Sequence, residues 1–154
     1  MKKAELTHAA LVKRASKWLE MRRCSVVICD GAIAVNEMPD AIGWDSAVTT
    51  ILIECKASRA DFLKDAKKHM RRYPELGMGR ERWYLAPAGV IKAAELPAGW
   101  GLLEVVGSQV YRRIPAKPFA RRNTTAELRL LHTMAGQWRR ALADLHRAWR
   151  RLGR

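Results

Sequence analysis

Glu54 and Lys56 stand two residues apart, directly after Ile51-Leu52-Ile53, a run apolar on both faces like a strand buried in a sheet. Side chains at i and i+2 of a strand point to the same face. A carboxylate and an ammonium therefore leave the end of a buried strand together. Asp40 lies upstream, behind Pro39, at the start of the extended stretch Asp-Ala-Ile-Gly-Trp. If that stretch pairs with the Glu54 strand, a second carboxylate approaches the first. Two carboxylates supply the hard oxygens that hold Mg²⁺, or Mn²⁺ in its place, with waters completing the shell. Such a metal lowers the pKa of a bound water and stabilises charge growing on a phosphate. A Lys beside it orients that water and offsets the extra negative charge. The carbonyl of Cys55, between the two side chains, is a further candidate metal ligand, which makes Cys55 a spacer and not a nucleophile. An isolated Glu-x-Lys is ordinarily a strand-end ion pair. The buried run before this one, Pro-Asp upstream and a capped helix downstream favour the metal site.

The elements that must position these groups are legible from periodicity. Residues 5–22 read as a helix with Leu11, Ala15, Trp18 and Leu19 on one face and Arg22 at its rim. Residues 25–29 are β-rich, and Asp30-Gly31 is a dipeptide favoured in tight hairpins. Residues 32–36 return as a second strand, interrupted at Pro39 and continuing through 40–44. Residues 48–55 form the strongest strand. Ser58-Arg59-Ala60-Asp61 matches a helix start, and that helix is predicted to run to Tyr73, where Pro74 ends it. Residues 82–86 form the next strand, and a strand–helix–strand unit of this length implies a right-handed crossover and a parallel pair. Two peripheral strands follow at 101–106 and 109–113. The expected fold class is α/β with a mixed sheet.

The chain has 154 residues, with Lys plus Arg numbering 29 and Asp plus Glu 15, a formal net charge of +14. Hydrophobic residues make up 49%, enough for a core and against wholesale disorder. Residues 112–154 carry 12 basic and 2 acidic side chains, so most of the excess sits in a C-terminal arm. Pro115 and Pro118 mark the boundary, dividing the chain into a domain at 1–114 and a basic linker and helix at 115–154. Such an imbalance points to a polyanionic partner. No apolar run approaches the roughly 18 residues of a membrane span, and no apolar stretch follows the N-terminal lysines. Three cysteines with no Cys-x-x-Cys speak against a disulfide scaffold or thiolate zinc site. A cytoplasmic location is expected.

Pro39-Asp40 followed by Glu54-Cys55-Lys56 resembles the PD-(D/E)XK nuclease superfamily. Residues 37–44 (Glu-Met-Pro-Asp-Ala-Ile-Gly-Trp), 53–62, 82–87 and 96–103 extend the likeness to a family of small phage and bacterial proteins associated with DNA repair. The resemblance covers roughly residues 5–106. It implies a restriction-endonuclease-like sheet flanked by helices, with Asp40 and Glu54 as metal ligands and Lys56 as the catalytic cation. It implies a Mg²⁺-dependent nuclease acting on DNA. The alternative is a non-catalytic DNA-binding or repair-accessory protein on the same fold. Many superfamily members add an acidic residue from the first helix. The middle of this helix has none, leaving Glu5 at its start and Glu37, three residues before Asp40, as candidates. In a regular strand Glu37 faces away from Asp40; a bulge at Pro39 would bring it round.

Two basic surfaces complete the expectation. Lys64, Lys67, Lys68 and Arg71 share a helix face near the site by i, i+3 and i+4 spacing and would grip a phosphate backbone. In the last segment Thr124-Thr125-Ala126-Glu127 reads as a capping box. Leu128, Leu131, Ala135, Trp138, Leu142, Leu145, Trp149 and Leu152 then recur at alternating intervals of three and four, an a/d seam. Arg139, Arg140, Arg147, Arg150 and Arg151 occupy other faces as candidate DNA contacts. The seam is expected to be buried against the first domain or against a second copy in a homodimer. His8, His69, His132 and His146 show no metal-ligand spacing and read as surface residues.

Overall fold

The computed structural model describes residues 6–29 and 38–153. The Asp30-Gly31 turn, the strand at 32–36, Glu37 and Glu5 lie outside the described residues. The first helix, α1 (His8–Met21), starts where the Thr7 side chain accepts a hydrogen bond from Ala10 N at 3.2 Å. It buries Leu11, Val12, Ala15, Trp18 and Leu19. The chain then turns through Arg23, whose φ is 62°.

Strands β1 (Val26–Cys29), β2 (Ala41–Trp44), β3 (Thr50–Cys55), β4 (Glu81–Pro87), β5 (Gly101–Val106) and β6 (Gln109–Ile114) form one six-stranded mixed sheet in sequential order. β1–β2 and β2–β3 are antiparallel, β3–β4 and β4–β5 parallel, and β5–β6 antiparallel. The fold is α/β. β5 is an interior strand paired on both sides, and only β6 is peripheral on that flank.

Period 2 divides the core. Ile51, Ile53, Cys55, Trp83, Leu85 and Leu103 face α1. Leu52, Tyr84, Ala86 and Leu102 face Phe62, Met78 and Trp100 on the other side. Ile51, Leu52 and Ile53 are all fully buried, as expected of a central strand covered on both faces. Gly101 is required by close approach: a Cβ there would lie 2.3 Å from the Trp83 ring and 2.8 Å from Ala116 N.

The helix expected to run from Ser58 to Tyr73 is broken. α2 (Arg59–Asp65) is capped by Ser58, which accepts from Asp61 N. A turn follows, with Lys68 N donating to Asp65 O at 2.9 Å, and then the short α3 (His69–Arg72). In a continuous helix, residues six apart diverge by roughly 120°. The break lets Arg71 turn inward, its Nε 2.8 Å from Asp65 Oδ2. Buried ion pairing here outweighs helical continuity.

After β6 the chain is fastened back onto the fold. Lys117 N donates to Gly99 O, and Phe119 N to Arg80 O at 2.7 Å, with the Arg82 guanidinium over the Phe119 ring. The last helix, α4 (Thr124–Leu152), is capped by Asn123, whose side chain accepts from Ala126 N. This corrects the capping box. Glu127 instead turns inward, accepting from Thr50 Oγ1 at 2.8 Å and Gly79 N at 2.9 Å, with Arg122 beside it. These donors need a buried acceptor more than the helix end does. Ala126, Leu130, Leu131 and Met134 seat the first turns against the core. Of the 128–152 seam, Leu131 packs against the core, while Leu128 and every residue from Gln137 to Gly153 are exposed. The fully buried apolar residue of α4 is Leu130, which is off the seam.

Candidate functional site

β3 ends in Glu54 and Cys55, and Lys56 follows with its N–H bonded to Leu85 O at 2.9 Å. Ala41 pairs with Ile53, so one further step of the register sets Asp40 opposite Glu54. Asp40 caps the strand end: its Oδ2 accepts from Cys55 N at 2.7 Å. Asp40, Glu54 and Lys56 thus meet at one end of the central strand. The two residues of the Glu-x-Lys pair are deeply buried, Glu54 2% exposed and Lys56 8%.

Lys56 Nζ sits 3.2 Å from Glu54 Oε2 and 3.2 Å from Asp65 Oδ1. Arg71 reaches the same two carboxylates, with its guanidinium 3.3 Å from Glu54 Oε1. Tyr84 donates its hydroxyl to Asp65 Oδ2 at 2.5 Å. The Arg71 guanidinium lies 4.5 Å from the Trp100 ring centroid, and Trp100 stacks on Tyr84. Lys68 Nζ approaches Asp65 Oδ1 at 2.7 Å from the solvent side. Two carboxylates and two cations therefore alternate inside a wall of aromatic rings.

The ionisation pattern follows from this geometry. Burial pushes the Glu54 carboxyl up from 4.5 to about 7, an effect that Arg71 and Lys56 only partly offset and to which Asp40 and Asp65 add. Asp65 goes the other way. Burial opposes its charge, but the hydrogen bonds and charge of Arg71, with Lys68 and Tyr84, hold it well below the usual carboxylate range. Burial also opposes the charge of Lys56, yet Glu54, Asp65 and Asp40 together raise its pKa. The Cys55 thiol is pushed far up by burial and by Asp40 and Glu54, so it is no nucleophile.

Several site expectations change. Arg71 is not part of an exposed DNA-contact face. It is buried, because the break between α2 and α3 points it at Asp65 and Glu54. Asp65, on the same helix as Lys64, is one of the buried carboxylates. Tyr84 and Asp65 carry no signal in the sequence because their contacts depend on how α2, α3 and β4 pack: Arg71 is only six residues from Asp65 but would lie on another face of a continuous helix. His8 is drawn in too, its Nε2 3.4 Å from Asp40 Oδ1. Its place at the first turn of α1 was the available signal. Lys64 and Lys67 remain exposed. Lys67 and Lys68 line a shallow cavity of about 380 Å³ with Ala66, His69 and Arg72. Arg139, Arg140, Arg147, Arg150 and Arg151 all lie on the exposed part of α4, Arg147 paired with Asp144.

No protein-family model and no curated protein matches the chain. Among solved structures, the chain is similar to SPO1766, described as a protein of unknown function from Silicibacter pomeroyi. The TM-score is 0.66 at 23% identity, over 94% of both chains. That likeness establishes a shared fold.

The oxygens able to hold a hard cation at this strand end are those of Asp40 and Glu54 and the Cys55 carbonyl. Among the described residues no group of three or more His, Cys, Asp and Glu side chains converges on one point. No helix among the described residues is long and apolar enough to cross a membrane.

Proposed function

We propose that the protein hydrolyses DNA phosphodiester bonds as a Mg²⁺-dependent nuclease of the PD-(D/E)XK type. The observation that carries this reading is Glu54 Oε1. It is fully buried and accepts no hydrogen bond among the described residues, at the strand end that Asp40 also caps. Its nearest cation, Arg71, stands 3.3 Å away in an ion pair without hydrogen-bond geometry, and a buried carboxylate oxygen that accepts no hydrogen bond is costly. The donor set fits a cation that keeps most of its waters, as Mg²⁺ does with one or two carboxylates.

Asp40 and Glu54 would hold the metal, with the Cys55 carbonyl beside them. When bound, Mg²⁺ supplies an acidified water and charge stabilisation at a phosphate. Lys56 holds a proton on Nζ at 3.2 Å from Glu54, where it orients a water and offsets developing negative charge. Asp65 keeps Lys56 charged and in place. Arg71 neutralises Glu54 in the absence of a cation and is held by Asp65 and stacked on Trp100, so it positions the site without touching substrate. The exposed Lys64, Lys67 and Lys68 and the α4 arginines supply non-specific attraction to the DNA backbone.

One observation favours the accessory-protein reading. Both Glu54 oxygens face cations of the chain itself, Lys56 and Arg71, which compete with a metal. The deciding experiment is a panel of branched, nicked, single-stranded and duplex DNA incubated with Mg²⁺ or Mn²⁺, alongside calorimetric metal binding. Loss of cleavage in Asp40→Ala and Glu54→Ala together with metal affinity supports the nuclease. DNA binding with neither cleavage nor metal affinity in the wild type replaces it with the accessory protein.

A further inference from the structure

From Ala135 onward α4 carries its apolar seam into solvent. Leu142 is 58% exposed, Trp149 74% and Leu152 85%. Six apolar residues in one exposed stripe are unusual on a helix that stands alone. The charge distribution says what covers them. Taking Leu128 as an a position, Arg140 and Arg147 fall opposite the seam, and Arg150 and Arg151 fall on the outer faces. The seam's flanks are nearly uncharged. One flank carries Ala141 and Ala148, and the other carries Arg139 and His146. A polyanion would seat on the arginines and leave the seam bare.

The stripe is self-complementary in one direction. About a centre between Ala143 and Asp144, Leu142 mirrors Leu145, Trp138 mirrors Trp149, and Ala135 mirrors Leu152. Each mirror pair joins an a position to a d position, as antiparallel helices require. The large Leu152 meets the small Ala135, and Ala141 meets Ala148 on the flank, where two methyl groups let the backbones approach. The mirrored segment spans the free part of the helix and stops where Met134 packs on the core. A parallel pairing would instead set each arginine beside its own counterpart and align the two helix dipoles unfavourably.

We propose that residues 135–152 of α4 form an antiparallel two-helix dimer with a second copy of this chain. Leu142 packs against the partner's Leu145, Trp138 against the partner's Trp149, and Ala135 against the partner's Leu152. The arginines then line the outside of a rod about 27 Å long, at 1.5 Å per residue, with an α/β body at each end. This assembly is independent of whether the strand-end site cuts DNA.

Sedimentation over a wide concentration range, combined with disulfide trapping, tests it. Wild type should sediment as a dimer at high concentration. Leu142→Asp with Leu145→Asp should weaken association by more than about 100-fold, since unpaired charges would enter the buried seam. The melting temperature of the α/β body should hold, because neither side chain touches it. Mixed Ala141→Cys and Ala148→Cys chains should oxidise to a heterodimer above the wild-type background. Neither should do so alone, because like thiols would sit about 8 Å or more apart along the axis. Wild type that stays monomeric at every concentration overturns the proposal, as does a dimer that survives the double Asp variant. A dimer with no mixed disulfide overturns the antiparallel register. Burial of the seam only on adding anionic vesicles or a duplex would assign it to that surface instead.

Discussion

Replacing Glu54 by Gln separates what this residue costs the fold from what it does in the site. The folded chain raises the Glu54 carboxyl from 4.5 to about 7. Between those values the folded protein keeps a proton that the unfolded chain has released. Stability from this group is therefore greatest below pH 4.5, falls as pH rises, and has been fully lost above pH 7. Each pH unit is worth about 1.4 kcal/mol, so the interval amounts to roughly 3 kcal/mol. Gln is neutral in both states and resembles the protonated acid in shape, while Asp65 still holds Lys56 and Arg71. Glu54→Gln should melt about 6–12 °C above wild type at pH 8, using 2–4 °C per kcal/mol for a chain of this size. The gap should narrow to about a quarter of that by pH 5 and close below pH 4. Asp65 does not blur this window, because its depressed carboxyl loses its contribution only at still lower pH. The same variant should lose Mg²⁺ binding and cleavage, and Mg²⁺ should raise the wild-type melting temperature and not the variant's. Calorimetric or fluorescence melting at pH 5 and pH 8, with and without Mg²⁺, reads these shifts, and cleavage is assayed beside them. A variant no more stable than wild type at pH 8, or a gap of equal size at both pH values, refutes the reasoning.

Lys56→Ala should keep metal and DNA binding but lose turnover by about 10²–10³, the loss seen on removing one charge-stabilising donor; Mg²⁺ affinity should stay or rise slightly, since like charges repel, and undiminished cleavage would contradict the role. Arg71→Met leaves Asp65 and Glu54 buried with one cation fewer, so denaturant melts at pH 8 should show a loss of about 3–5 kcal/mol, with rescue by Arg71→Lys only partial because the Trp100 stacking goes. Gly101→Ala drives a methyl into the Trp83 ring and should cost about 1–3 kcal/mol by overpacking, read from the same melts. Deleting residues 135–154 removes six arginines against Asp144 and should flatten the slope of log K against log salt by about 0.9 for each phosphate that the arm no longer neutralises, with the α/β body unchanged. An unchanged slope would take α4 off the DNA.

The strand end was legible because its signals are local. A run apolar on both faces, a two-residue period and a Pro-Asp upstream place Glu54, Lys56 and Asp40 together before any coordinate is known. Ser58 as a cap and the apolar face of α1 follow from the same short-range rules. What surrounds those residues was not legible. Asp65, Arg71 and Tyr84 converge from three elements, and helical periodicity alone put Arg71 on an exposed basic face. Only the packed sheet makes a desolvated carboxylate demand a cation strongly enough to break the helix at Ala66 and turn Arg71 inward. Glu127 is the same case: local spacing reads as a capping box, while two buried donors on β3 and at Gly79 claim its side chain. For α4 the sequence determined that an apolar stripe exists, because heptad spacing is a property of the helix itself. Which part of it touches the fold was decided by tertiary structure, because burial depends on how far the core reaches along the helix, and its last core contact is Met134.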